Sequence, residues 1–278
     1  MDKNILSGGC SFTFGNELSD DKGKNSPSNR SWAKGLCDLV QGNYYSVAKG
    51  GIGNSAIARK VFEYISHNKV DFVLIMWSFP SRYDWAMPRN KNLEKTRWAS
   101  ITPWEADQKQ SEVFKALSGS EPQQEIWKKR MNLLEGTGVK PFANSLYRYA
   151  ANEYHEIYLS WKSIIWLQNI LEKKKIPYMF SLCDNTLFYN ELTPHFELDG
   201  LMGALYKEIN FTNWFSFGER MMGFNQWSLL NDYPRGTTHP LDQAHKDAVQ
   251  LMKDKFLQII KKGDPNEVDK MDNRQDQK

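Results

Sequence analysis

The sequence predicts an α/β fold in three layers, a parallel sheet with helices on both faces, and three observations predict it. The first 77 residues alternate strand, helix, strand, helix, strand. The third of those strands, Asp71 to Trp77 (DFVLIMW), is a continuous apolar run, as expected of a strand buried on both faces. The patterned part of the chain closes with an amphipathic helix, Asp242 to Lys262, whose Ala248, Leu251, Met252, Phe256, Ile259 and Ile260 form one stripe. Right-handed βαβ units covered by helices satisfy all three.

The elements follow in order. Asn4 to Gly8 reads as the first strand, short and ending in Gly8-Gly9. Asn16 to Arg30, with Gly, Pro, Ser and Asp throughout, reads as a loop. Ser31 is placed to cap a helix over Trp32 to Val40, because Trp32, Leu36, Leu39 and Val40 recur at helical spacing. Tyr44 to Ala48 is the second strand. After the turn Gly50-Gly51-Ile52-Gly53, Asn54 or Ser55 caps a helix through Ile65. Then the pattern breaks. Residues 81–149 hold Trp85, Trp98, Trp104 and Trp127 among many charges, and nothing there looks like a strand of the same sheet. They read as a mainly helical insertion at the carboxyl end of the third strand, the edge where open α/β sheets bind ligands. Its tryptophans either line a lid or form a satellite core. A long helix, Tyr154 to Lys174, and a fourth strand, Pro177 to Leu182 (PYMFSL), resume the pattern. Residues 1–262 are therefore expected to form one domain carrying an insertion at about 81–149, and 263–278 a flexible polar tail.

Composition excludes several classes. The balance of 36 basic to 33 acidic residues is too even, and too free of basic stripes, for a nucleic-acid partner. No stretch approaches the roughly 20 apolar residues of a membrane span. Cys10, Cys37 and Cys183 are far apart and lack metal or disulfide spacing, which fits a reducing compartment. With no signal peptide at the start, a cytoplasmic location is expected, with release by lysis or in a particle as the exception. There is no nucleotide-binding fingerprint, so no cofactor is expected.

Two residues stand out chemically. Ser11 follows the first strand in Gly8-Gly9-Cys10-Ser11-Phe12-Thr13-Phe14-Gly15, a tight turn that presents a side chain at the sheet edge. His239, in Thr238-His239-Pro240, lies in a polar loop before the last helix, and the proline restrains that loop. Of the other histidines, His195 is a weaker candidate base and His245, within the start of the last helix, reads as a surface or structural residue. The turn at Gly50, Gly51 and Gly53 can offer a bare N–H to a developing oxyanion.

Three segments together resemble the SGNH (GDSL-type) hydrolase superfamily: Gly9 to Gly15, Ala48 to Asn54, and His239 to His245. The resemblance covers about two thirds of the chain and leaves out the insertion. It implies a flavodoxin-like sheet, Ser11 as nucleophile, His239 as base, and oxyanion donors from the Ser11 and Gly51 N–H groups. Three departures accompany it. Cys10 stands where the family usually has aspartate. The third strand ends Trp77-Ser78-Phe79-Pro80-Ser81-Arg82 without the family's asparagine, leaving Ser78 as the substitute donor. Gly236 occupies the place of the acid that orients the histidine, so either a Ser–His dyad operates or Asp232 supplies the carboxylate. The expected activity is cleavage of a small acyl ester, acetyl on a carbohydrate being favoured, with a small-molecule or glycan ester as substrate. The alternative is a catalytically degenerate relative that binds glycans or builds a particle such as a virion.

Overall fold

The computed structural model describes residues 3–21, 26–86, 98–106, 139–189 and 199–262. The polar tail, Trp127 and much of the insertion lie outside the described residues.

Four strands form one parallel sheet: β1 (Asn4–Gly9), β2 (Asn43–Ser46), β3 (Phe72–Trp77) and a fourth, Tyr178–Leu182, in the spatial order second, first, third, fourth. All six residues of β3 are buried, as its apolar run requires. Register sets Ile5 against Tyr44 and Phe72, Gly9 against Met76, and Trp77 against Leu182. The sheet takes one further step in a parallel bridge from Phe180 to Trp214, where the Phe215 N–H donates to Phe180 O at 2.7 Å. This is the flavodoxin-like strand order with its last strand reduced to a single bridge.

Pleating separates the two helical layers. Gly8 faces Ile57 and Val61 of helix Asn54–His67, so Ile75, its partner on β3, faces the same side. Phe72, three residues before Ile75, points the other way and meets Phe256 of helix Asp242–Lys262 edge-on at 5.1 Å. Numbered in chain order, the helices are α1 (Ser11–Phe14), α2 (Trp32–Asp38), α3 (Asn54–His67), α4 (Pro103–Ala106), α5 (Val139–Tyr149), α6 (Glu153–Lys173), α7 (Gly200–Lys207), α8 (Phe224–Leu230) and α9 (Asp242–Lys262). α3 packs with α6 on one face, and α2 packs with α9 on the other.

One expectation about local structure is corrected. Ser31 does cap α2, its side chain accepting from the Lys34 N–H. At α3, however, the N-cap is Gly53, with no side-chain cap. Asn54 turns inward instead: its amide donates to Ser78 O and Ser160 Oγ, each at 3.0 Å, and accepts the Ser78 N–H at 2.7 Å. A buried amide that ties α3 to both β3 and α6 is worth more inside than at a solvated cap. The insertion adds local detail. Its described part includes an antiparallel hairpin, Tyr83–Ala86 with Trp98–Ile101, as a separate two-stranded sheet. Four-residue strands give too little alternation to read as strands in the sequence. A small core of Tyr83, Ile101, Val139 and Ala143 holds this part together. Trp85 and Trp98 stay 46% and 44% exposed, so they are not its satellite core.

Candidate active site

The site is assembled at the carboxyl edge of the sheet. β1 ends in a one-turn helix, α1, that starts at Ser11 and stops at Gly15 in the left-handed conformation (φ 83°). Beyond Ser46 the chain keeps running beside β1, since the Val47 N–H donates to Ser7 O and the Lys49 N–H to Gly9 O. This carries the glycine turn to the nucleophile side: a Cβ at Gly50 would lie 3.9 Å from Ser11 Cβ. Gly51 has φ 79°, a conformation that costs glycine nothing. Neither the Ser11 N–H nor the Gly51 N–H donates to another group among the described residues.

Residues 228 apart in sequence meet here. His239 Nε2 lies 2.7 Å from Ser11 Oγ. On its other side, His239 Nδ1 lies 2.8 Å from a Glu17 carboxylate oxygen. With Nδ1–H donating to Glu17, the Nε2 lone pair is free to accept the serine proton. Phe12 packs against the imidazole at 4.8 Å, which limits ring rotation. Thr238 Oγ1 is also 2.9 Å from Nδ1.

Glu17 is the residue that the sequence reading missed. It occupies the place against His239 Nδ1 that was expected of Asp232: Asp232 is exposed beyond the end of α8 and takes no part in the histidine's contacts. Glu17 comes from the polar loop after α1, a stretch without local pattern. A signal existed in Gly236. A Cβ there would sit 2.9–3.1 Å from the Glu17 carboxylate atoms, so the glycine is the space that the carboxylate fills. The same carboxylate accepts the backbone N–H groups of Thr237, Thr238 and His239 at 2.9, 3.1 and 3.0 Å. Burial is the largest single influence on Glu17 and raises its carboxyl. Hydrogen bonds from His239, Thr238 and Thr237, with the charge of His239, together outweigh it and lower the pKa to about 2. Arg235 braces the loop from behind through Ser228 Oγ, Asn225 Oδ1 and Thr238 O.

The remaining candidates fall out differently. Ser78 is fully buried, its N–H is taken by Asn54, and its Oγ accepts from Arg82 at 3.0 Å, so it is no oxyanion donor. Asn16 stands nearer: its amide nitrogen lies 3.4 Å from the position of a Gly50 Cβ, and its Oδ1 is buried without a partner. His245 is buried and structural, with Nδ1 accepting the Trp32 N–H at 3.1 Å. Burial lowers its pKa to about 3, so it stays neutral. His195 lies outside the described residues. The three cysteines are free and buried, and no group of metal-ligating side chains occurs among the described residues.

No family model matches the chain, and no curated protein does. Among solved structures, it is similar to a lipolytic protein of the G-D-S-L family from Desulfitobacterium hafniense, at 10% identity and TM-score 0.43, covering 91% of this chain and 99% of that one. It is similar at 11% identity and TM-score 0.43 to the psychrotrophic esterase EstA from Pseudoalteromonas sp., in a structure inhibited by monoethylphosphonate, covering 94% and 98%. An acetyl xylan esterase from the rumen bacterium Butyrivibrio proteoclasticus matches at 11% identity and TM-score 0.40, covering 91% of this chain and 63% of that one.

Proposed function

We propose that this chain is a serine ester hydrolase of the SGNH type, working through a Ser11–His239–Glu17 triad on a small acyl ester. One observation carries the reading: the unbroken hydrogen-bonded line from Ser11 Oγ through both imidazole nitrogens to an ionised carboxylate. A serine hydroxyl is a weak nucleophile until a base takes its proton during attack. Here Ser11 Oγ attacks the ester carbonyl while His239 Nε2 accepts the proton. Glu17 holds the ring in the needed tautomer and offsets the imidazolium charge as it forms. The tetrahedral oxyanion is received by the Ser11 and Gly51 N–H groups, with the Asn16 amide as a third donor once its nitrogen faces the site. His239 then returns its proton to the departing alcohol. Water, activated by the same imidazole, releases the acid from Ser11.

The degenerate-relative alternative drew its force from the missing acid and the missing asparagine donor; Glu17 beside His239 supports the active reading on the first count. Acetyl on a carbohydrate remains the favoured substrate class. The test is labelling with a fluorophosphonate together with p-nitrophenyl acetate turnover. Wild type should be modified at Ser11 and inactivated, and both Ser11→Ala and His239→Ala should lose turnover. Labelling elsewhere, or full activity in His239→Ala, discards the mechanism.

A further inference from the structure

Arg82 is a buried cation, 7% exposed, with no carboxylate partner among the described residues. Among the described residues, one of its five side-chain N–H groups donates, to Ser78 Oγ at 3.0 Å. Its guanidinium is layered between two rings, 4.8 Å from Phe79 and 5.2 Å from Trp104. Stacking of this kind holds an arginine fork flat and leaves its edge for an anion. Buried charges are otherwise paired, because an unpaired one costs solvation that nothing returns.

Its place is the active-site edge. β1 and β3 pair as far as Gly9 and Met76, and just beyond that pair the side chains of Cys10, the residue before Ser11, and Ser78 are hydrogen-bonding neighbours. Arg82 binds Ser78, and Phe79 in turn packs on Phe12, the residue after the nucleophile. The buried thiols of Cys10 and Cys183 lie beside it, and it shares a cavity wall with Asp84, His155 and Glu156, of which Asp84 is already paired with Arg59 and Glu156 is bonded to Tyr83.

We propose that Arg82 recognises an anionic group of the substrate, a carboxylate carried on the acyl or the alcohol side of the ester. It is a specificity residue, and the carboxylate supplies the partner that is absent among the described residues. The proposal rests on the ester-hydrolase reading, and its test separates the two. Two ester pairs are compared: mono-p-nitrophenyl succinate with p-nitrophenyl acetate, and 4-acetoxybenzoate with phenyl acetate. In at least one pair, wild type should favour the anionic ester, and Arg82→Gln should cut the anionic-to-neutral ratio of kcat/KM by about 10- to 100-fold. Arg82→Lys should keep part of that ratio. Arg82→Met should melt no lower than wild type, since it removes a buried charge that no carboxylate among the described residues pairs. Equal losses on both members of each pair, or a Tm drop of many degrees in Arg82→Met, would mark a structural ion serving the Cys10 sulfur and overturn the proposal. If no ester is turned over, calorimetric titration of monomethyl succinate into Ser11→Ala decides. Binding that weakens at least about tenfold with added Arg82→Gln keeps the anion site and discards the esterase; no binding discards both.

Discussion

Glu17 holds the left-handed conformation at φ 68°, which for a residue with a side chain is uncommon and mildly strained. The strain is offset by what the conformation permits, since one carboxylate accepts from three consecutive backbone N–H groups and from His239 Nδ1. Removing it should therefore damage both chemistry and the loop. Glu17→Gln and Glu17→Ala are expected to lower kcat on p-nitrophenyl acetate by roughly a hundred- to ten-thousand-fold, with KM changed far less, and Asp232→Asn should leave both unchanged. Loss of activity in Asp232→Asn with full activity in Glu17→Gln would reverse the assignment. The depressed pKa has a sign that can be checked. The folded chain holds Glu17 ionised down to about 2, against an ordinary 4.5. Its contribution to stability is therefore complete above about pH 4.5 and is lost as pH falls from there through 2. Denaturant titrations of wild type and Glu17→Gln should differ most above that window and converge below it.

Among the elements, the loop before α9 shows why the site was only half legible in the sequence. Ser11 and His239 each sit in a motif with its own local pattern, a glycine turn after a strand and a proline-restrained loop before a helix. Glu17 belongs to neither. It acts across the sheet edge from a stretch whose sequence says only that it is a loop, and no periodicity encodes that reach. Gly236 carried the trace, as a missing side chain whose space another residue fills. Gly236→Ala puts a methyl group about 3 Å from the Glu17 carboxylate. The carboxylate is the end of a flexible side chain, so the fold can give way cheaply, but the four hydrogen bonds it makes cannot all survive. Gly236→Ala is accordingly expected to lower kcat more than about tenfold while moving Tm by only a few degrees. A large Tm loss with normal kcat in the remaining folded protein would show that the glycine serves the backbone and not the acid. α3 gives the complementary lesson. Its start was legible from the glycine turn, but the choice between Asn54 as cap and Asn54 as inward bracket depended on Ser78 and Ser160, contacts that spacing cannot supply.

Across the whole molecule, the parallel sheet was legible because apolar runs and helical stripes are local signals, whereas the contacts joining the two ends of the chain, apart from the Ser11–His239 pair that the resemblance implied, were not. His245 is such a contact. It belongs to α9, yet its Nδ1 accepts the N–H of Trp32, the first residue of α2, and so fixes the last helix to the second. The geometry needs the nitrogen unprotonated, and burial enforces this by lowering the pKa from 6.5 to about 3. The unfolded chain binds a proton near pH 6.5 that the folded chain refuses. Stability is therefore level above about pH 6.5 and falls as pH drops toward 3, with a slope approaching about 1.4 kcal/mol per pH unit from this one group. Glu17 does not titrate until about pH 4.5, and the buried Glu156, whose carboxyl is raised by burial, acts with the opposite sign, so a His245 variant is what separates the histidine's share. His245→Phe keeps an aromatic ring in the core but leaves the Trp32 N–H without its acceptor, at a cost of about 1–3 kcal/mol near neutral pH. In urea titrations, wild type should lose stability steadily from pH 6.5 to 4.5, while the variant starts lower and loses less over the same interval. The two curves should therefore approach one another at the acid end. If the variant keeps the full wild-type slope, the proton responsible for acid weakening binds elsewhere, and the joint between α2 and α9 is not the pH-sensitive seam of the fold.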